Sequence, residues 1–411
     1  KIHNDFPNMK KYFILLFVIV GFCFTAVSAS AATIYSNSST GNDTTGDGTS
    51  GTPYKTFHKA YTSASTDDTL DLTGTFNWAD GDESGDASYS GYTIGKNIII
   101  QGQGSDQTII QAASTALSSG KRVFTISAGY SLTILDANIR YGYPTSYNSG
   151  GCILVNSTAT LTINRSEVNN CKAQTGYGGG IYASGNTTII DSAIHSNGVY
   201  YDGAGIVITG GANLILTNST VYNNVGSGNA NYNGGGILVG ANDNTTATAT
   251  ITNSTITDNY ARYGGGGIYL SGNADLRLYI KNSIVAQNDS NNGGNYNNIF
   301  KETAAVITSN GYNIIGGSNS YTAAAGDWTD QGNDGTFELY SVGTTGSLNL
   351  DATPSYNDSS RKTYTYGILS GSVAINNSNA TANNGVSIPS TDQRNATRAG
   401  AADIGAFEYN G

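Results

Sequence analysis

Charged residues make up only 12 % of this 411-residue chain, so each side chain able to do acid–base chemistry can be weighed singly. Along the repetitive middle the acids are Asp191, Asp202, Asp258 and Asp275, and the bases are Arg140, Lys172 and Arg262. A glycosidase needs two carboxyls at a set separation. A lyase needs carboxylates for Ca²⁺ and an Arg or Lys base. These residues are scattered over different columns of the repeat, and Asp191 and Asp258 stand where sibling repeats carry Asn or Ser. If the chain is an enzyme, Asp202 and Arg262 are its candidate pair. His195 reads as a lone solvated residue, and no Ser has an apparent His/Asp partner that would mark it as a nucleophile.

Other signatures of polysaccharide cleavage are not assembled. Thr66-Asp67-Asp68 lies before the repeats, and no Gly-His-Gly occurs. Two acidic runs have calcium-like content. Residues 42–48, NDTTGDG, lack the Glu of an EF-hand loop. Residues 79–86 hold Asp80, Asp82, Glu83 and Asp86, although such a run is ordinarily a solvated loop. No other cofactor is implied. Tyr147, Tyr177, Tyr201, Tyr232 and Tyr263 each precede a glycine-rich landmark by a few residues. A column of tyrosines suits sugars or a protein partner; the plainer alternative is Tyr stacked on Tyr to seal a turn.

The elements that must position these groups repeat. A glycine-rich entry into a strand ends at Ile153, Ile181, Ile206, Ile237 and Ile268, and a second motif ends at Val168, Ile194, Val221, Ile256 and Val285. Both landmarks advance by about 25 to 35 residues, the length of one coil of a parallel β-helix. Period-two spacing puts Ile163, Ile189, Leu216, Ile251 and Ile280 on one strand face, with Leu161, Thr187, Leu214, Ala249 and Leu278 beside them. These columns are expected to stack inward. Asn197, Asn224, Asn259 and Asn288 then form a corner ladder interrupted by Cys171, and Asn at such a corner tolerates left-handed geometry. About ten coils are expected, a rod of about 50 Å.

Residues 1–31 read as an over-long N-terminus plus a secretory signal peptide: Met9, two lysines, an apolar run from Tyr12 to Phe24, and small residues before cleavage near Ala31 or Ala32. The alternative is a membrane anchor, for which the run is short. Secretion or cell-surface display follows. Cys23 leaves with the signal; Cys152 and Cys171 remain as a candidate disulfide or as two small residues at repeat positions. A net charge of −10 without a basic block argues against nucleic acid and anionic membranes as partners. After signal cleavage the chain is not expected to be an integral membrane protein.

Residues 32–68 read as an N-terminal cap, a strand followed by an amphipathic helix with Pro53 in its first turn and Phe57, Ala60 and Tyr61 on one face. Residues 69–345 are the β-helix, and residues 346–411 a C-terminal cap. There Asp392, Arg394, Arg398, Asp403 and Glu408 make a dense charge group, expected to close the cap by ion pairs.

Residues 41–60 (GNDTTGDGTSGTPYKTFHKA), Gly371-Ser372-Val373-Ala374-Ile375-Asn376, Asp392-Gln393-Arg394-Asn395-Ala396-Thr397-Arg398 and Asp403-Ile404-Gly405-Ala406-Phe407-Glu408 together carry a resemblance. The chain resembles the secreted β-helix proteins with a choice-of-anchor Q domain, over nearly all of the mature chain. The departures are Val373 for Pro, Asn376 for Asp and Asn395 for Gly. The resemblance implies an all-β, right-handed parallel β-helix exposed at the cell surface, and that family's activity is poorly defined. Its surface anchor has no counterpart after Glu408, so truncation or release is expected.

The leading expectation is a noncatalytic, adhesin-like β-helix whose tyrosine-lined face meets an extracellular polysaccharide or another cell-surface component. The alternatives are an extracellular polysaccharide lyase or hydrolase, and a filament subunit.

Overall fold

The computed structural model describes residues 31–83, 91–145, 149–226, 232–240, 246–271, 275–291, 298–318, 320–330, 339–341, 344–356, 363–398 and 400–409. The signal-peptide reading, Asp86 and Tyr147 lie outside them.

The repeats wind into a parallel β-solenoid. On the first face Thr160–Asn164 pairs in register with Asn186–Ile190, which pairs with Asn213–Thr217, and so on through Ala247–Thr252 and Leu276–Lys281. The second face stacks Glu167–Asn169, Ala193–His195, Thr220–Tyr222 and Thr255–Thr257. The third face is an eight-stranded parallel sheet running from Tyr92–Ile94 to Ile299–Lys301. The first face adds strands beyond both ends of the third, at Thr33–Asn37 and Val306–Ser309. Eight turns are therefore three-sided, against the ten or so expected, and the rod is correspondingly shorter.

Register explains the sequence columns. Ile163, Ile189, Leu216, Ile251 and Ile280 are all fully buried, and so is the column from Leu161 to Leu278, in which Thr187 is the one polar member. One coil alone cannot bury this face, so each coil depends on its neighbours.

Two polar ladders hold the corners. In the expected one, Asn197 Nδ2 donates to Asn224 Oδ1 (3.0 Å), Asn224 Nδ2 to Asn259 Oδ1 (2.9 Å), and Asn259 Nδ2 to Asn288 Oδ1 (2.9 Å). The ladder runs one rung further, to Asn298 (3.0 Å). Where it meets Cys171, the Cys171 N–H still donates to Asn197 Oδ1 (3.1 Å). The left-handed residue, however, is not the ladder Asn but the one before it: Asn170, Ser196, Asn223, Asp258 and Gln287, with φ of 50–59°. The turn is made first, which frees the ladder amide to point along the rod. The second ladder is serine, unforeseen from the sequence. The N–H of Ser166 donates to Ser192 Oγ (3.2 Å), and that of Ser192 to Ser219 Oγ (3.1 Å). At the glycine corner Gly178 has φ 69°, and a Cβ on Gly179 would lie 2.2 Å from the Gly198 carbonyl oxygen. Both positions therefore require glycine.

Cys152 and Cys171 form a disulfide with their Cα atoms 5.4 Å apart. The cap helix is Phe57–Ser63. It begins later than expected because Thr56, not Pro53, caps it, accepting from Lys59 N–H (3.0 Å). Phe57 and Ala60 are buried, and Phe57 packs in a ring cluster with Trp78, Tyr92 and Phe124.

The expectation for the C-terminal segment needs a correction. Rather than closing the end of the rod, it lies as a strap along the outer side of the second face. Tyr364 N–H donates to Glu167 Oε1 (3.0 Å), Thr220 Oγ1 to Gln393 Oε1 (2.6 Å), and Gly405 N–H to the Asn282 carbonyl (2.8 Å). The physical reason is the outward residues of the later coils. Ile284, Ala286 and Ile314 are apolar, and the strap covers them with Leu348, Ile368, Ala374 and Ile404. Among the described residues no helix is long and apolar enough to cross a membrane.

Candidate functional site

In a strand alternate residues point to opposite faces. On the third face the first and third residues of each strand go inward and the middle one goes outward. The outward row is Leu154, Tyr182, Val207, Leu238, Tyr269 and Phe300. Val207, Leu238 and Tyr269 are buried, with Tyr177, Tyr182 and Phe300 partly buried against them. Tyr269 stacks on Phe300 with ring centres 5.4 Å apart.

The predicted tyrosine column is divided by this geometry. Tyr177 and Tyr201 do stack, at 5.7 Å, and Tyr200, 37 % exposed, meets Tyr201 edge-on. Tyr232 turns inward. A Cβ on Gly226 would lie 2.2 Å from its ring, so the missing side chain there makes the room. Burial above all, with Tyr260 beside it, pushes the Tyr232 phenol up to about 12. Tyr263 points out, 44 % exposed. The aromatic groups form a stacked pair and an outward row rather than one continuous strip.

Two carboxylates border that row. Asp202, half-buried in the corner before its strand, accepts from Asn233 N–H (2.6 Å) and Asn233 Nδ2 (3.2 Å). Burial raises its pKa to about 6 despite those two donors, and the charge of Glu302 pushes the same way. Glu302 accepts from the Tyr269 hydroxyl. Burial and this carboxylate raise the Tyr269 pKa. Asn233 Oδ1 is buried with no hydrogen-bond partner among the described residues. Arg262 is exposed and its charge is felt by Tyr232. The charged neighbour of Asp202 is thus Glu302, which the sequence reading missed. Glu302 lies just past the last third-face strand, outside the motifs that marked the repeats.

The remaining candidates serve structure. Glu83 accepts from the N–H groups of Phe57 (2.9 Å) and His58 (3.1 Å), Asp82 pairs with Lys55 (2.5 Å), and Asp80 accepts from Asn77 Nδ2 (3.0 Å). The three therefore point to separate partners. In the first acidic run Asp43 accepts from Lys55 and Thr56, and Asp47 from Thr49 and Thr52. Among the described residues no three His, Cys, Asp or Glu side chains are grouped to hold a metal. Within the strap Arg394 forks onto Asp392 (2.8 and 2.6 Å), and Arg398 pairs with Glu408 (3.3 Å) while reaching Asn218 Oδ1 on the rod (3.1 Å). Asp403 accepts from Asn376 N–H (2.7 Å). The charge group is an ion-pair cluster, as expected, but it rivets the strap to the flank. His195 is not solvated. It is 7 % exposed, stacked on Tyr222 (4.6 Å), with Nε2 3.6 Å from Glu167 Oε2.

The family model for a right handed beta helix region matches residues 123–323, the regular coils just described. The chain folds as a parallel β-helix. It is similar to two solved structures at low levels. To pectate lyase Pel9A it is 13 % identical, with 93 % of this β-helix and 97 % of that chain covered at a TM-score of 0.39. To pectin methylesterase from carrot it is 13 % identical, covering 66 % and 88 % at 0.28. Likeness at that level carries nothing about the activity of this β-helix. No curated protein matches it.

Proposed function

We propose that this protein is a secreted, noncatalytic, adhesin-like β-helix that binds extracellular glycans through its third face. The observation that carries the reading is the outward aromatic row, with Tyr269 and Phe300 stacked and the Tyr177–Tyr201 pair alongside, bordered by Asp202, Asn233 and Glu302. Aromatic faces take the apolar side of a sugar ring, and the bordering amides and carboxylates take its hydroxyls. The signal-like segment and the resemblance of both ends to surface β-helix proteins support display outside the cell. The test incubates the chain from Ala32 onward with a panel of polysaccharides, following both retention on the polymer and new reducing ends. Retention without release is expected. Tyr201→Ala and Phe300→Ala should each weaken it about two- to tenfold, the value of one aromatic contact. Retention unchanged in both variants would overturn the reading.

One observation favours a second reading, an extracellular polysaccharide hydrolase. Asp202, which burial pushes up to about 6, feels the charge of a second acid, Glu302, and a raised carboxyl with a second carboxyl near it is the kind of set a glycosidase uses. Release of reducing ends that disappears in Asp202→Asn would establish it.

A further inference from the structure

On another side of the rod, along the asparagine corner, lies an open groove of about 320 Å³. Its floor is the ladder of two-residue strands, and its rim comes from the left-handed corner residues Asn170, Ser196 and Asn223 of three successive coils. Those coils are about 4.8 Å apart, so the rim offers polar groups at the spacing of the coils.

The groove has four features that together define a ligand. First, Lys172 is its only ionisable lining residue, and its ammonium has no hydrogen-bond or ion-pair partner among the described residues. In a chain of net charge −10 an unpaired cation is a local exception. Second, Gly198 places no side chain in the floor: a Cβ there would meet Lys172 Cγ at an ordinary contact distance of 3.5 Å, and only a larger side chain would fill the groove. Third, Asn170 Nδ2 donates to Asn169 Oδ1 (2.7 Å) and Asn223 Nδ2 to Ser196 Oγ (3.2 Å). The amide oxygens of Asn170 and Asn223 are then the acceptors left for a ligand's hydroxyls. Fourth, the walls carry apolar surface unusual for an exposed position. Leu117 is 52 % exposed and Val225 37 %. Leu117 is held there at φ 60°, a conformation that bulky residues avoid.

We propose that this groove binds a linear glycan bearing carboxylates, a polyuronate, with one carboxylate on Lys172. The acceptor oxygens would take ring hydroxyls, and Leu117 and Val225 the apolar side of a pyranose ring. A peptide fits less well. The short strands of the floor, Lys172–Ala173, Gly198–Val199 and Val225–Gly226, are already paired with one another, and at the outer strand the Lys172 N–H is taken by the Gly142 carbonyl (2.8 Å). The proposal does not depend on the third face.

The test is calorimetric titration of the chain from Ala32 onward with a mannuronic-acid hexamer and with the methyl ester of the same hexamer. The acid form should bind and the ester should bind at least tenfold more weakly, because a charge-assisted hydrogen bond to the ammonium is worth that much. Lys172→Gln should lower the affinity for the acid about tenfold and leave that for the ester unchanged. Gly198→Val, which fills the floor, should weaken both. Tyr201→Ala and Phe300→Ala should leave the affinity for the acid unchanged. Melting temperatures of the variants within a few degrees of the parent show that the fold is kept. Equal binding of acid and ester in the Tyr201→Ala and Phe300→Ala backgrounds, an unaltered affinity for the acid in Lys172→Gln, no binding of the acid hexamer, or loss of acid binding in the Tyr201 and Phe300 variants would each overturn the assignment.

Discussion

Asn224→Ala is expected to be among the most destabilising single truncations in the rod, although it removes no apolar contact of note. Asn224 is fully buried. Its Nδ2 donates to Asn259 Oδ1 (2.9 Å) and to the Ile194 carbonyl (3.0 Å), and its Oδ1 accepts from Asn197 Nδ2 (3.0 Å) and from the Asn197 N–H (3.1 Å). Alanine loses all of these. Part of the network heals, because Asn259 Oδ1 keeps the Asn224 N–H (3.1 Å) and Asn197 Nδ2 keeps the Val168 carbonyl (3.0 Å). The Asn197 N–H loses its partner in a buried site. At about 1 kcal/mol net for each of the four lost bonds, plus about 1–3 kcal/mol for an unpaired buried donor, the cost is about 5–7 kcal/mol. The neighbouring Asn223→Ala makes the contrast. Asn223 is exposed and sits at φ 50°, so alanine there should cost only the left-handed penalty of about 1–2 kcal/mol, and glycine should cost almost nothing. Urea titrations followed by circular dichroism, with slopes compared across the variants, give the free energies. An Asn224→Ala cost equal to or below that of Asn223→Ala would refute the ladder as a source of stability and leave the turn as the reason for asparagine here.

Two further outcomes follow from the caps and the disulfide. Reducing Cys152–Cys171, or replacing both residues by Ser, should lower stability by about 3 kcal/mol, the chain-entropy value for a loop closed over a separation of 19 residues; the same titration with and without reductant reads it. Burial raises Glu83 from 4.5 to about 7, while the two helix N–H groups it accepts from pull the other way. A carboxyl whose folded pKa is raised adds stability below its unfolded value and loses it as pH climbs through the folded one. The fold should therefore lose about 3 kcal/mol between pH 4.5 and 7 through this group, and Glu83→Gln should flatten that slope in a pH series of thermal melts.

The fold was legible because its signals are periodic. Ile153, Ile181, Ile206, Ile237 and Ile268 recur at coil length, and each coil buries its inward residues only against copies of itself, so one pattern repeated many times carries the architecture. The Asn ladder was readable for the same reason. The positions that escaped are those where the partner lies outside the repeat. His195 looks solvated in sequence, yet Tyr222 and the strap residue Tyr364 enclose it. Glu302 follows the last regular coil, and its link to Asp202 passes across several coils. Pro53 looks like a helix start because proline suits a first turn, but Thr56 and the distant Glu83 supply the caps. The strap was mistaken for an end cap because its charge group satisfies itself either way. What decides its place is the apolar outward side of Ile284, Ala286 and Ile314 on another part of the chain.

These placements narrow where any ligand can bind. Among the described residues the interior is lined by fully buried, stacked columns. The outer side of the second face is taken by the strap from Glu167 to Ile314. On the first face the central outward residues Thr133, Thr162, Thr188, Ile215 and Thr250 include no aromatic or ionisable group, and the column reaches one, Tyr279, at the next coil. Two of the remaining surfaces differ in charge. The third face joins aromatic rings to Asp202 and Glu302, while the asparagine corner joins exposed Leu117 and Val225 to Lys172, whose ammonium has no partner among the described residues. A polymer carrying carboxylates would be repelled by the first and held by the second, and a neutral glycan would favour the first. If one polysaccharide engaged both surfaces, its charge would have to alternate along the chain. The reading that each surface takes its own ligand therefore asks less of the chemistry, and it accounts for the position of Lys172 away from the acids.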